Sequence, residues 1–428
     1  MLQRPPRSAT SLQIFVLVLA TCFSLLPAQA QIGSPLPGLK PVETKFFKNG
    51  QKQFNRTWGL VEGVGPVFTD GGCQRCHKAP VLGGMSNRLL FFFGKNNPDG
   101  SFDPLLNEGG LLLQPISNSA FIQGGVCTLP GERTPPDANA RENRMAAPVF
   151  GFGLIDAIDD NTIIAGSLID QGDGIHGVVN TIPPNPLYAP AIPPNKIGRF
   201  GRKAQLANLV EMAAFAFAHD LGITNPLVPD EDLPSGQPIP PECTLNSAVP
   251  NNPNSGSGDK GIFPLSHFMR YLAPNKPGIL DIHGQAGQVS FLTIGCSKCH
   301  TPSMQTPAAV RVPTDFAGTT LGSPALSNQN VGLYSDLLLH DMGTGLAGGI
   351  PAGQPNTQQA TIQQWRTTPL WGLSLRSFYL HDGRTKDLTT AILNHSLNGD
   401  GEAAIVIGRF KALTPSDQSD LLVFLNSL

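Results

Sequence analysis

Two five-residue strings constrain this chain more than anything else in it: Cys73-Gln74-Arg75-Cys76-His77 and Cys296-Ser297-Lys298-Cys299-His300. Each has the form C-x-x-C-H, the attachment signature of a c-type haem. Two intervening residues put both thiols on one side of a single turn, where they can add across the porphyrin vinyl groups. The following His then supplies an axial nitrogen to the iron. A zinc knuckle or a thioredoxin-like dithiol also uses paired cysteines, but neither needs a His directly after the second. The pattern predicts two covalently bound haem c groups. Cys73, Cys76, Cys296 and Cys299 are the attachment points, and His77 and His300 the proximal ligands.

The amino terminus agrees with this. Arg4 and Arg7 precede an apolar run from Leu12 to Leu26, and Ala28-Gln29-Ala30 has the form of an A-x-A cleavage site. The run is too short for a membrane span, so residues 1–30 read as a secretory signal peptide. The expected product is a periplasmic protein that does not span the membrane. Charged residues make only 14% of the chain and the formal net charge is −2, which argues against a nucleic-acid partner. Gly and Pro supply 47 and 40 of the 428 residues, but 40% of the chain is apolar; that describes a loop-rich folded protein rather than a disordered one. Outside the haem motifs and the leader, Cys127 and Cys243 remain. In an oxidising compartment they form either a disulfide or two separate buried thiols.

The two motifs lie far apart, and their approaches are alike. In each, a Phe (Phe68, Phe291) stands five residues before the first Cys and a Gly (Gly72, Gly295) directly before it. This weak repeat predicts an amino-terminal haem lobe over residues 31–225 and a carboxy-terminal one over 262–428. A Pro-, Asn- and Ser-rich loop over 226–261 joins them. Lys203 to Asp220 reads as a helix with Gly222 just beyond it, and Gly284 to Ile294 as the helix entering the second motif. Thr414-Pro415-Ser416-Asp417 has the form of a helix start. Strand signals are few, so the expected fold is mainly α, with two cytochrome c-like lobes and long Gly/Pro-rich loops. Asp170, Asp173 and Asn180 surround Gly172 and Gly174; they read as a solvated turn or, alternatively, as a calcium loop.

Among the other histidines, His395 stands out. It follows a predicted helix over Thr385 to Leu393 and shares a face with Leu388, Ala391 and Ile392. A His at the end of an apolar stripe needs a buried partner. That partner is a metal or, equally well by pattern, a backbone carbonyl.

The carboxy-terminal third then shows a resemblance. Trp365-Arg366-Thr367-Thr368-Pro369-Leu370-Trp371-Gly372 and Tyr379-Leu380-His381-Asp382-Gly383-Arg384 resemble the signature of bacterial di-haem cytochrome c peroxidases. They are closer still to the di-haem oxidoreductase family, whose members are labelled peroxidases or thiol oxidoreductases. Arg144 to Pro148, Gly153 to Ile158, Asp173 to Gly177, Gly198 to Ala204 and Tyr334 to Gly343 match that family as well.

The resemblance implies roles for particular residues. In the peroxidases the position fourteen places beyond the His of the H-D-G string supplies the second axial ligand of the carboxy-terminal haem. It is usually Met, and Tyr in the relative that matures a tryptophan-derived quinone. Here that position is His395, which implies His300–His395 coordination and a haem of lowered potential. The removable distal His of the peroxidases, sixteen places after the proximal one, is here Phe93. The iron at His77 is thus expected to keep an open position, with Met85 as an alternative ligand. Arg144 and Asp156 lie in a family block expected to face this haem, and are weak candidates for the charge and acid–base group that peroxide cleavage needs. Their structural alternatives are an Arg paired with a haem propionate and a helix-terminal Asp. Family members pass electrons through a Trp between the haems, yet Trp58, Trp365 and Trp371 all lie outside the stretch between the two motifs.

The resemblance implies a di-haem oxidoreductase that takes electrons from a donor protein and reduces hydrogen peroxide or a similar small oxidant. An electron-transfer cytochrome without substrate chemistry and a maturation enzyme acting on a protein are the competing classes. The thiol-oxidoreductase label finds no clear dithiol outside the haem motifs.

Overall fold

Pro41 at the first helical position, with the Lys40 N–H donating to Glu43 Oε2 at 2.7 Å, opens the first helix, α1 (Pro41–Phe54). A computed structural model describes residues 32–59, 63–120, 127–182, 197–243, 261–316, 318–351 and 360–428. The predicted signal peptide lies outside the described residues, as do 244–260 of the predicted linker. The buried face of α1 carries Phe47, Gly50 and Phe54 and crosses α5 (Ile262–Tyr271). A Cβ on Gly50 would stand 2.1 Å from the Pro264 carbonyl, so only glycine permits this approach. Between them in sequence come α2 (Phe152–Ala157), α3 (Asp160–Ser167) and α4 (Leu209–His219).

The helix predicted from Lys203 begins later, at Leu209. Asn208 Oδ1 accepts the N–H groups of Val210 and Glu211, both at 3.0 Å, and caps the helix there. The preceding residues turn back on themselves, with Phe200 bridged to Leu206 and Ala204 at φ 51°.

Towards the carboxy terminus, α6 (Ile282–Ile294) packs on α9 (Pro415–Ser427). A Cβ at Gly287 would sit 1.9 Å from the Asp420 carbonyl. As predicted, α9 starts at Thr414, whose side chain accepts from the Asp417 N–H at 3.2 Å. Two shorter helices, α7 (Leu388–Leu393) and α8 (Ala404–Ala412), complete this region.

The strands overturn the mainly α expectation. Helices take 34% of the structure and strands 14%, which makes the fold mixed rather than a pair of mainly α cytochrome lobes. The largest sheet sets β2 (Leu89–Asn96) between β3 (Phe102–Asp103) and β5 (Ala140–Met145), all antiparallel. Two-stranded ladders join β1 (Val67–Phe68) to β4 (Ile116–Ser117), and β6 (Met304–Gln305) to β9 (Asn330–Val331). Two more join β7 (Arg311–Pro313) to β8 (Thr320–Gly322), and β10 (Leu339–Asp341) to β11 (Gln364–Arg366). Ladders of two or three residues are too short to show period-two alternation in sequence, and their partners are mostly distant.

One apolar cluster gathers α1, α2, α4 and α5 and reaches Leu338 and Trp371. A second is built from α6, α8, α9, Ile175 and Leu373. Cys73 packs against the first; Cys296 and Cys299 pack against the second. Cys127 and Cys243, left open by sequence, are joined as a disulfide. No helix among the described residues is long and apolar enough to cross a membrane.

Candidate cofactor site

α6 ends at Ile294, and Gly295, at φ 102°, turns the chain into a single 3-10 turn, Cys296–Lys298. The His300 N–H closes on the Cys296 carbonyl at 2.9 Å, which carries the imidazole round beside the two thiols. Its Nδ1 donates to the Tyr334 carbonyl at 2.9 Å. His395 approaches from the other side, on the 3-10 turn Asn394–Ser396 that continues α7. Its Nδ1 donates one turn back, to the Ala391 carbonyl at 2.8 Å. The carbonyl partner that sequence offered as an alternative to a metal is therefore present, and it occupies Nδ1 alone. A carbonyl on Nδ1 fixes the tautomer and leaves Nε2 as the ligating nitrogen.

The two ring centres lie 6.4 Å apart, with 60° between the planes. Two iron–nitrogen bonds of about 2.0 Å, plus about 1.1 Å from each Nε2 to its ring centre, call for about 6.2 Å. The residues fit one iron between them. Burial, followed by the neighbouring His395, pushes the His300 pKa down to about 4, and burial lowers His395 as well. Both imidazoles stay neutral, the form that coordinates a metal.

His300, His395, Cys296 and Cys299 line one cavity together with Phe291, Leu388 and other apolar side chains. Its volume is about 230 Å³. Burial pushes the thiols of Cys73, Cys76 and Cys296 up to about 12 and raises Cys299 as well. Reactive dithiols require the opposite shift.

The first motif repeats the local build and differs in what faces it. Cys73–Arg75 forms a 3-10 turn, the His77 N–H meets the Cys73 carbonyl at 3.0 Å, and Nδ1 donates to the Gly84 carbonyl at 3.1 Å. Burial lowers the His77 pKa to about 4. Among the described residues the ring against His77 is that of Phe54, with centres 5.8 Å apart, and no second imidazole is placed there. Phe93 is fully buried in β2 beside Leu105 and Ala138. Met85 lines the cavity of His300 and His395.

The other sequence candidates have structural partners. Arg144 pairs with Glu142 and stacks over Phe92 at 4.4 Å. Asp156, near the end of α2, accepts from the Leu209 N–H at the start of α4 and pairs with Arg270 of α5, both at 3.1 Å. Among the described residues no cluster of metal-ligating side chains forms at the Asp170–Asn180 loop. Asp173 is taken by Lys298 and Arg409, and Asp170 accepts from the Gly172 N–H. The Asn180 amide donates to the carbonyls of Lys203 and Ala204.

Three arrangements escaped the sequence, although all lie in or beside the blocks that carried the family resemblance. His340 sits between Asp336 (2.8 Å) and Glu402 (2.6 Å), and its Nδ1 is 3.6 Å from Cys299 Sγ. Burial opposes its charge, but the hydrogen bonds to Asp336, Cys299 and Glu402 hold its pKa well above the ordinary value. Trp365 lines the cavity and stacks on His381 at 3.8 Å, with the Lys203 ammonium 3.5 Å from its ring centre. Arg202, Arg366 and Arg376 also reach the cavity. Apart from the four-residue spacing of Asp336 and His340, no spacing rule signals such groups, because their partners come from distant segments.

Paired cysteines with a following His, and two neutral imidazoles set one iron apart, define a haem-protein site. The family whose model matches residues 137–428 carries the description "Di-haem oxidoreductase, putative peroxidase". The chain belongs to this di-haem oxidoreductase family, and so to the haem-dependent oxidoreductases. The match includes Cys296–His300 and His395 and stops short of Cys73–His77. No curated protein sequence matches the chain. Among solved structures, a Kuenenia stuttgartiensis hydrazine synthase is similar at 13% identity and TM-score 0.41, over 99% of this chain and 100% of that one. A MauG-like protein associated with microbial copper homeostasis is similar at 17% identity and TM-score 0.29, over 70% and 92%.

Proposed function

We propose that this chain is an exported, periplasmic c-type di-haem oxidoreductase of peroxidase type, with two unequal haem sites. The observation that carries the reading is the 6.4 Å separation of His300 and His395, set against His77, whose ring neighbour is Phe54. Cys296 and Cys299 would tether one haem, held by His300 and His395; Cys73 and Cys76 would tether the other, held by His77. When bound, the first group would relay electrons from a donor protein, and the second would reduce hydrogen peroxide or a similar small oxidant.

The chain's own residues prepare both places. The carbonyls of Gly84, Tyr334 and Ala391 hold the Nδ1 protons of His77, His300 and His395, so each ring presents Nε2. Burial keeps all three imidazoles neutral, and Phe291 and Leu388 give the second site apolar walls. The test is stopped-flow spectroscopy of the reduced protein mixed with peroxide. Rapid reoxidation with turnover supports a peroxidase, and an inert spectrum overturns it.

A further inference from the structure

We propose that Arg202, Arg366 and Arg376 form an anion cradle in the cavity of His300 and His395, built to receive the two propionate carboxylates of the haem held there. This rests on the haem reading above and assigns that group's charged edge to residues with no role so far.

The argument begins with charge. The three arginines come from the turn before α4, from β11 and from the segment after α9's neighbour Leu373, and all three line the one cavity. Their hydrogen bonds go to backbone carbonyls. Arg202 donates to Met145 at 2.9 and 3.2 Å. Arg366 donates to Gly201 at 3.0 Å and Thr367 at 2.9 Å. Arg376 donates to Pro369 and, at 3.2 Å, to Trp371. Among the described residues none of the three forms a salt bridge, although other buried arginines do: Arg144 pairs with Glu142, Arg199 with Asp160 and Arg270 with Asp156. Arg376 Nε is buried with no partner at all.

The three cations also repel one another. Burial first, then Arg366 and Arg376, pushes the Arg202 pKa down to about 9; burial lowers Arg366 and Arg376 to about 10. Carbonyls satisfy N–H groups but do not neutralise charge. Asp382 acts on Arg202 and Asp336 on Arg366 through space without an ion pair, and buried cations without a paired counter-ion are costly. A planar guanidinium fork suits a carboxylate. Two carboxylates would give two of the three guanidinium groups an ion-pair partner, and haem carries two.

The test uses the holoprotein. Intact mass and haem content come first: a protein without two covalent haems removes the haem reading itself, and the cradle with it. In haem-replete protein, Arg376→Gln and Arg202→Gln should each lower the midpoint potential of the bis-His haem. Each should also make that potential fall more steeply with pH between 5 and 8 than in the unmodified protein, where Lys203 over Trp365 and His340 are other titrating groups beside the cavity. Arg376→Lys should restore the unmodified profile, and the exposed-site control Arg311→Gln should change nothing. Unchanged potentials and profiles in both Gln variants, or shifts confined to the other haem, overturn the proposal. A measurement without substitution covers variants that do not fold. Resonance Raman of the unmodified protein should show propionate bending bands of guanidinium-bonded carboxylates, invariant over the same pH range; solvent-exposed bands overturn the cradle.

Discussion

The His300 and His395 rings stand 6.4 Å apart across the cavity, each with Nδ1 committed to a backbone carbonyl. Neither imidazole can turn its Nε2 away without giving up a buried hydrogen bond, worth about 1 kcal/mol net and more if the donor is left unpaired. Replacing His395 by Met should therefore leave a folded protein whose carboxy-terminal haem changes from bis-imidazole to imidazole–thioether ligation. The near-infrared ligand-to-metal band should move and the midpoint potential rise. Unaltered axial-ligand bands in His395→Met would exclude His395 as a ligand.

Asp156 ties α2 to α4 and α5. Asp156→Asn keeps an acceptor for Leu209 and strands the Arg270 charge, at a cost of about 3 kcal/mol. Denaturant melts should show the loss, while peroxide turnover per folded molecule should persist. Loss of turnover at full stability would instead return Asp156 to the catalytic machinery.

The Cys127–Cys243 bond closes a span of 116 residues. A loop of that size restricts the unfolded chain by about 4–5 kcal/mol in the chain-entropy description. The double Cys→Ser variant should unfold at lower denaturant by about 2–5 kcal/mol, and adding reductant should lower the wild type towards it. Equal midpoints for wild type with and without reductant would contradict this.

His340 supplies a pH dependence of definite sign. Its folded pKa is raised above an unfolded value of about 6.5, so the native state holds the proton more tightly. That contribution is complete below about pH 6.5 and is lost as pH rises through the folded value. His340 should make thermal midpoints fall from pH 6.5 upwards, so His340→Gln should make the wild-type profile less downward over that range, where Glu132, Asp220, Glu231 and Lys203 also titrate. A profile unchanged by the substitution assigns the effect to those groups.

Local chemistry was legible from residue order alone. The C-x-x-C-H strings, the Thr414-Pro415 start of α9 and the helix leading into Cys296 depend on contacts within a few residues, and they stand in the structure where the sequence places them. The mixed α and β architecture was not legible. β2 finds β5 some fifty residues on, and β10 and β11 are too short to declare themselves. Lys203 lay in a helix-forming run, yet its ammonium is buried over Trp365 and held by the carbonyls of Thr361, Ile362 and Gln364, so tertiary burial overrode propensity. Helical pattern singled out His395 with a metal or a carbonyl as its partner, and only the family resemblance paired it with His300; its distance from His300 is a property of two segments nearly a hundred residues apart. The arginines of the cavity, without an ion-pair partner among the described residues, lay deeper still, because a missing partner is visible only once every neighbour has its place. Residue order determined which groups could hold an iron. Long-range packing, which alone sets distance and desolvation, decided which of them face one another.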